Sequence, residues 1–80
     1  MDELQIRKLF LNAYQKYYFN LKLNRAELIA YYTGQVDFLL DNFNTQLGTT
    51  EEIQRLKDKA EANALEHYEF YEKSNIEDII

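Results

Sequence analysis

Cysteine, proline and tryptophan are absent from the 80-residue chain, and glycine occurs only at Gly34 and Gly48. Without cysteine there is no disulfide staple, no thiolate ligand for zinc and no thiol nucleophile. Histidine is nearly missing too, since His67 is the only imidazole. One histidine and no cysteine cannot supply the usual zinc ligand set within one copy. No glycine-rich loop is present to cradle phosphate, and no Asp-x-Asp-x-Asp-Gly loop to hold calcium. Long apolar runs are also lacking. The longest covers residues 28–31, or 28–32 with Tyr32, far short of the roughly 20 residues a bilayer-spanning helix needs. Met1-Asp2-Glu3 is acidic where a secretory signal would be basic, so the expected location is cytoplasmic.

What is present reads as one globular domain over residues 1–80. Hydrophobic residues are 46% and charged residues 29%, a composition that argues against disorder. A chain this short buries only about 60–65% of its extended surface, and small unstapled domains often gain stability from a partner or a second copy. The net charge of −5 is unevenly spread. Residues 1–25 carry Arg7, Lys8, Lys16, Lys22 and Arg25 against Asp2 and Glu3. Residues 26–48 carry Glu27, Asp37 and Asp41 without a base, and residues 49–80 carry nine acids against four bases. A basic first helix set between two acidic ones is the simplest expectation; an acidic face offered to a basic partner is the alternative.

The apolar periodicity is helical throughout. Asp2 is placed to cap a first helix whose stripe is Ile6, Leu9, Phe10, Ala13, Tyr14, Tyr17 and Leu21. Asn24 and Glu27 make a loose capping box for a second helix with the stripe Ile29, Tyr32, Val36, Leu39, Leu40, Phe43 and Leu47, ended by Gly48. Thr49 and Glu52 make another box ahead of Ile53, Leu56, Ala60, Ala64, His67 and Tyr71. Ser74 with Glu77 could cap one last turn through Ile76, Ile79 and Ile80. Residues 20–24 hold no glycine or proline, so an unbroken helix over 3–47 competes with a break there; helices of that length are rare, which favours the break. The expected fold is all-α: an up-down-up bundle of three helices over about 3–20, 25–47 and 50–73, with dimerisation open.

Catalytic chemistry finds little to work with. The helix neighbours of His67 at three and four residues are Asn63, Ala64, Phe70 and Tyr71, so no carboxylate orients it and no serine or cysteine is there to be activated. A half-buried packing histidine is the expectation. Asp37 and Asp41 lie on one helix face without a histidine beside them and read as solvated surface, while Glu51–Arg55 and Glu69–Lys73 read as helix-stabilising pairs. No enzyme, cofactor, metal or small-molecule substrate is expected.

Nucleic acid is disfavoured for a related reason. Residues 26–43 have the alanine–glycine–aliphatic spacing of a helix-turn-helix at Ala30, Gly34 and Leu40. The would-be reading helix carries Asp37 and Asp41 and no base, so a duplex would repel it. Gly34 could otherwise mark a close helix–helix approach. Residues 16–25 mix bases with aromatics, as single-strand binders and helix ends seated on a membrane surface do, but Tyr14, Tyr17 and Leu21 already belong to the core stripe, and snorkelling lysines over that core account for the pattern better.

The remaining signal is a surplus of apolar residues. Leu4, Leu11 and Tyr18 recur every seven residues off the main stripe of helix 1, and Tyr31 with Phe38 does so on helix 2. Heptad rows outside the core stripe are expected either to be buried internally by a splayed bundle or to form a docking face for another helix. The chain is therefore expected to be a small non-enzymatic interaction module that meets another protein or a second copy through Leu4, Leu11, Tyr18, Tyr31 and Phe38. A helix-turn-helix regulator and a structural self-assembling protein are the alternatives.

Overall fold

Asp2 opens the chain's first helix as the pattern predicts. Its carboxylate accepts from the Gln5 N–H at 2.8 Å, and the Gln5 side chain accepts from the Asp2 N–H at 3.1 Å, a reciprocal capping box. In this computed structural model, which describes the backbone of residues 2–79 and the side chains of 2–73, four helices follow. They are α1 (Glu3–Lys22), α2 (Ala26–Asn42), the short α3 (Asn44–Leu47) and α4 (Thr50–Ile79). Every element among the described residues is helical.

The break after α1 is real, but Asn24 makes it in a different way from that expected. Asn24 sits at φ +58, and the N–H groups of Asn24 and Arg25 reach back to the carbonyls of Leu21 and Asn20. That pair of bonds is a Schellman motif, and asparagine tolerates the left-handed conformation it requires. Asn24 therefore ends α1 instead of capping α2, whose N-cap position falls to Arg25 with no side-chain hydrogen bond.

The second helix is shorter than the expected span 25–47. It stops at Asn42, whose side-chain amide donates to the Phe38 carbonyl at 2.9 Å, a local bond that competes with helical continuation. Phe43 leaves helical geometry at φ −129, ψ 27. The bend lets α3 carry Leu47 into full burial in the core with Ile6 and Phe10. The third long helix runs past the expected 73 without interruption, so no separate last turn begins at Ser74. The Ser74–Glu77 capping pair lies outside the described side chains.

The long helices run up, down and up. Contacts pair Arg7 with Glu52, Tyr14 with Glu61 and Phe19 with Tyr71, so α1 and α4 are parallel and in step. Lys16 lies over the Tyr32 ring and Leu9 lies beside Phe38, so α2 runs antiparallel to α1. Both α2 and α4 pack on α1, yet among the described residues the backbones of α2 and α4 hardly approach each other. A cleft of about 200 Å³, lined by Tyr14, Tyr17, Val36, Leu40 and Lys57, separates them. The basic α1 thus does lie between two acidic helices. Among the described residues the fully buried side chains are Ile6, Phe10, Leu47, Ala60 and Ala64, with Ala13, Asn20, Val36 and Leu39 almost so.

Two polar groups tie the lower end together. Arg7 reaches Glu3 at 2.7 Å and Glu52 at 2.8 Å. Glu52 also closes the expected capping box with Thr49, at 3.2 Å in each direction. Just before it, Gly48 adopts φ +102, and a Cβ there would meet the Glu52 carboxylate at 2.9 Å. The expected Glu51–Arg55 and Glu69–Lys73 pairs do not close among the described residues, since exposed pairs gain little against side-chain entropy.

Gly48→Ala should lower stability by about 1–2 kcal/mol, because it forces an L-residue into a glycine conformation and pushes on the cap carboxylate; urea unfolding reads the loss. The Thr49 hydrogen bonds, then Arg7, hold the Glu52 carboxyl below its ordinary pKa. A carboxylate with a depressed folded pKa stabilises fully above the unfolded value and loses that contribution as pH falls through the folded one. Melting temperature should therefore drop below about pH 5, and Glu52→Gln should flatten that part of the acid limb.

Candidate functional site

Position along α2 decides which of its apolar residues the core can use. Val36 and Leu39 point into it, while Tyr31 and Phe38 lie about 140–160° round the helix from Val36 and about 80–100° from Leu39. They are 59% and 58% exposed. On α1, Leu9 was expected in the core stripe, but it is 43% exposed. It faces the flank of α2, where Leu9, Tyr31, Gly34, Gln35, Phe38 and Leu39 line a hollow of about 460 Å³. Gly34 keeps the hollow open: nothing lies within 4 Å of where its Cβ would be. Neither expected role for that glycine is observed. It sits inside one continuous helix, so residues 26–42 hold no turn of a helix-turn-helix, and no second helix approaches it closely.

The structure does not gather the five expected interface residues on one face. Tyr31 and Phe38 share the hollow with Leu9. Leu11 and Tyr18 are half-buried and lie about 160–180° round α1 from Leu9. That places them on the side where Arg7, Tyr14, Gln15 and Phe19 meet α4. Part of the helix 1 row is thus covered by the chain's own last helix, which brings small Ala60 and Ala64 to its buried side. Leu4 is 61% exposed near the start of α1, on the same row as Leu11 and Tyr18 and one heptad before Leu11. Leu9 was missed because Leu9–Phe10 and Ala13–Tyr14 form a stripe broad enough to serve two neighbours, and the sequence does not say which edge stays uncovered.

A second hollow, of about 740 Å³, opens between α1 and α4. Gln15, Phe19, Asn63, Glu66, His67, Phe70 and Tyr71 line it, and Gln15 accepts from the Asn63 amide at 3.3 Å. His67 is exposed, not half-buried as expected. Tyr71 and His67 each meet the Phe19 ring in a T-shaped contact, at 6.1 and 6.5 Å, and that one ring leaves most of the imidazole uncovered. No hydrogen bond joins His67 to Glu66 or to any nucleophile among the described residues. Phe70, 74% exposed, was passed over because it falls off the α4 core stripe.

The basic and aromatic residues of the 16–25 segment are largely engaged with one another or with neighbouring helices. Lys16 lies over Tyr32, Lys22 over Tyr18 and Arg25 over Tyr71, at 5.5–5.9 Å from ring centre. Lys57 does the same over Tyr14. Burial, followed by the nearby Glu61 carboxylate, raises the Tyr14 phenol pKa above its ordinary value, and the hydroxyl lies 3.4 Å from Glu61. Glu72, bonded by the Tyr68 hydroxyl at 2.9 Å, raises that phenol too. Among the described residues no group of three histidine or acidic side chains is arranged to hold a metal ion, and no helix is long and apolar enough to cross a membrane.

No protein-family model matches this sequence, and comparison with curated proteins and with solved structures gives no match.

Proposed function

We propose that the chain is a small, non-enzymatic interaction module that docks through the α1/α2 hollow. The observation behind this reading is the side-by-side exposure of Leu9, Tyr31 and Phe38 around an open cavity. Three large apolar side chains that converge on one concavity offer a pocket for an anchoring residue of another helix. Isolated exposed apolar residues would not carry this weight, since folded surfaces are full of them. The docked surface belongs to another protein, which the module would regulate or occlude, or to a second copy, which would make a dimer of three-helix bundles. Leu4 extends the surface only if the partner also wraps the start of α1.

Phe38→Glu and Tyr18→Glu separate this reading from simple core packing. Phe38→Glu should leave the melting curve close to that of the parent, since the side chain faces solvent. It should weaken self-association or partner binding about thirtyfold, the loss of roughly 2 kcal/mol expected for one aromatic anchor. Tyr18→Glu should lower the melting temperature, because a charge is placed under α4. Light scattering and a pull-down on both variants read the outcome. A folded Phe38→Glu protein with unchanged mass and undiminished binding contradicts the proposal.

A further inference from the structure

Glu27, Tyr31, Gly34, Phe38 and Asp41 follow one another by steps of four and three along α2, so they share one face. All five are exposed. Acids thus close both ends of an aromatic row that has a glycine between its rings. Tyr31 leans on Tyr32 at 5.0 Å between ring centres, and Phe38 on Phe43 at 6.1 Å. The two residues stand about 10 Å apart along the helix, and the space over Gly34 between them is open. The flanks of the row differ. Gln35 and Leu39, which line the hollow with Leu9, fall about 60° and 100° to one side of Phe38, and Asp41 and Asp37 fall about 60° and 100° to the other. The helix itself has no basic residue. None of Glu27, Asp37 and Asp41 is in an ion pair among the described residues. The cations beside α2 are engaged elsewhere, Lys16 over Tyr32 and Arg25 over Tyr71.

We propose that the partner seated in the α1/α2 hollow is a basic amphipathic helix of another protein, which rests on the docking role given to that hollow above. A large apolar side chain of the partner enters between Tyr31 and Phe38, where Gly34 lets the two backbones come close. Its apolar side meets Leu9, and its lysines or arginines lie along Asp37 and Asp41 and over Glu27. Charge disfavours the other occupants. Nucleic acid and anionic membrane surfaces are repelled by a helix that carries acids alone. A second copy fares no better, because Glu27 and Asp41 stand seven residues to either side of Gly34. An antiparallel crossing at Gly34 sets Glu27 against Asp41 twice, and a parallel crossing sets each acid against itself. A base-bearing helix is the occupant that gains from all three acids.

The test is a titration of the isotope-labelled full chain with a short amphipathic helical peptide of leucine and lysine, followed through the chain's amide signals. A peptide with glutamine in place of every lysine serves as control. The lysine peptide should shift the amides of residues 27–41 and of Leu9, and bind about tenfold more tightly than the control. Combining Glu27→Gln, Asp37→Asn and Asp41→Asn should remove that difference. Gly34→Gln, which fills the seat between the rings, should weaken both peptides about tenfold. All four positions are exposed, so both variants should stay folded, and Gly34→Gln should melt at or above the parent temperature. Equal affinity of the two peptides for residues 27–41 overturns the basic partner and leaves the docking role of the hollow standing. Shifts centred on α4 acids such as Asp58 and Glu69, or no binding of the lysine peptide, also overturn the proposal. A Gly34→Gln protein that binds both peptides as the parent does overturns the docking role as well. A chain that dimerises alone and loses the dimer on Gly34→Gln contradicts the proposal too, because a second copy would then fill the hollow.

Discussion

Everything in this fold hangs on α1 being shared. Ile6, Phe10 and Ala13 bury completely or nearly so, because α2 and α3 cover one flank of the helix and α4 another. The backbones of the two outer long helices stay apart across the intervening cleft among the described residues. A helix that serves two neighbours needs an apolar stripe wider than one partner can cover. Adjacent pairs such as Leu9–Phe10 and Ala13–Tyr14 supply it. The cost of this arrangement is incomplete coverage. Leu9 on one edge and Phe19 on the other each open into a hollow, so the candidate surfaces are consequences of how the core is shared.

Electrostatics follow the same geometry. With its bases placed between two acidic neighbours, α1 can offset both fields. The strongest link is Arg7, whose guanidinium spans Glu3 on its own helix and Glu52 at the start of α4. Glu52 in turn caps α4 through Thr49 and crowds Gly48. One carboxylate therefore couples a turn, a helix start and an interhelical contact. Further up, lysine and arginine lie over tyrosine rings, an exchange of full hydration for a partly dry aromatic face. The two ends of the molecule are held by different chemistry, ion pairing below and cation–aromatic contact above.

The all-helical class, the break near residue 24, the caps at Asp2 and Thr49 and most of the buried stripe were legible in the sequence, since each rests on local chemistry or simple periodicity. Asn24 was assigned to the wrong helix because asparagine favours both N-caps and left-handed C′ positions. Only the tertiary path decides between them. The bend at Phe43 was hidden for a similar reason: Asn42 and Asn44 are weak breakers, and burial of Leu47 is what makes the bend favourable. Tyr31 and Phe38 were recognisable as outward-facing from their phase against Val36 and Leu39. Leu11 and Tyr18 carried the same sevenfold spacing, yet α4 covers their side of α1. Periodicity says which residues share a face; it does not say which faces the chain itself will use.

Native-state hydrogen exchange tests the shared-core account most directly, because it reads the opening free energy of each helix separately. The slowest amides should lie in α1 around Phe10 and Ala13 and exchange only through global unfolding. Amides in residues 26–34 of α2 and beyond residue 65 of α4 should exchange through smaller openings, each helix independently of the other. If the slowest amides instead fall in α2 or α4 while the middle of α1 exchanges by local opening, α1 is not the common core.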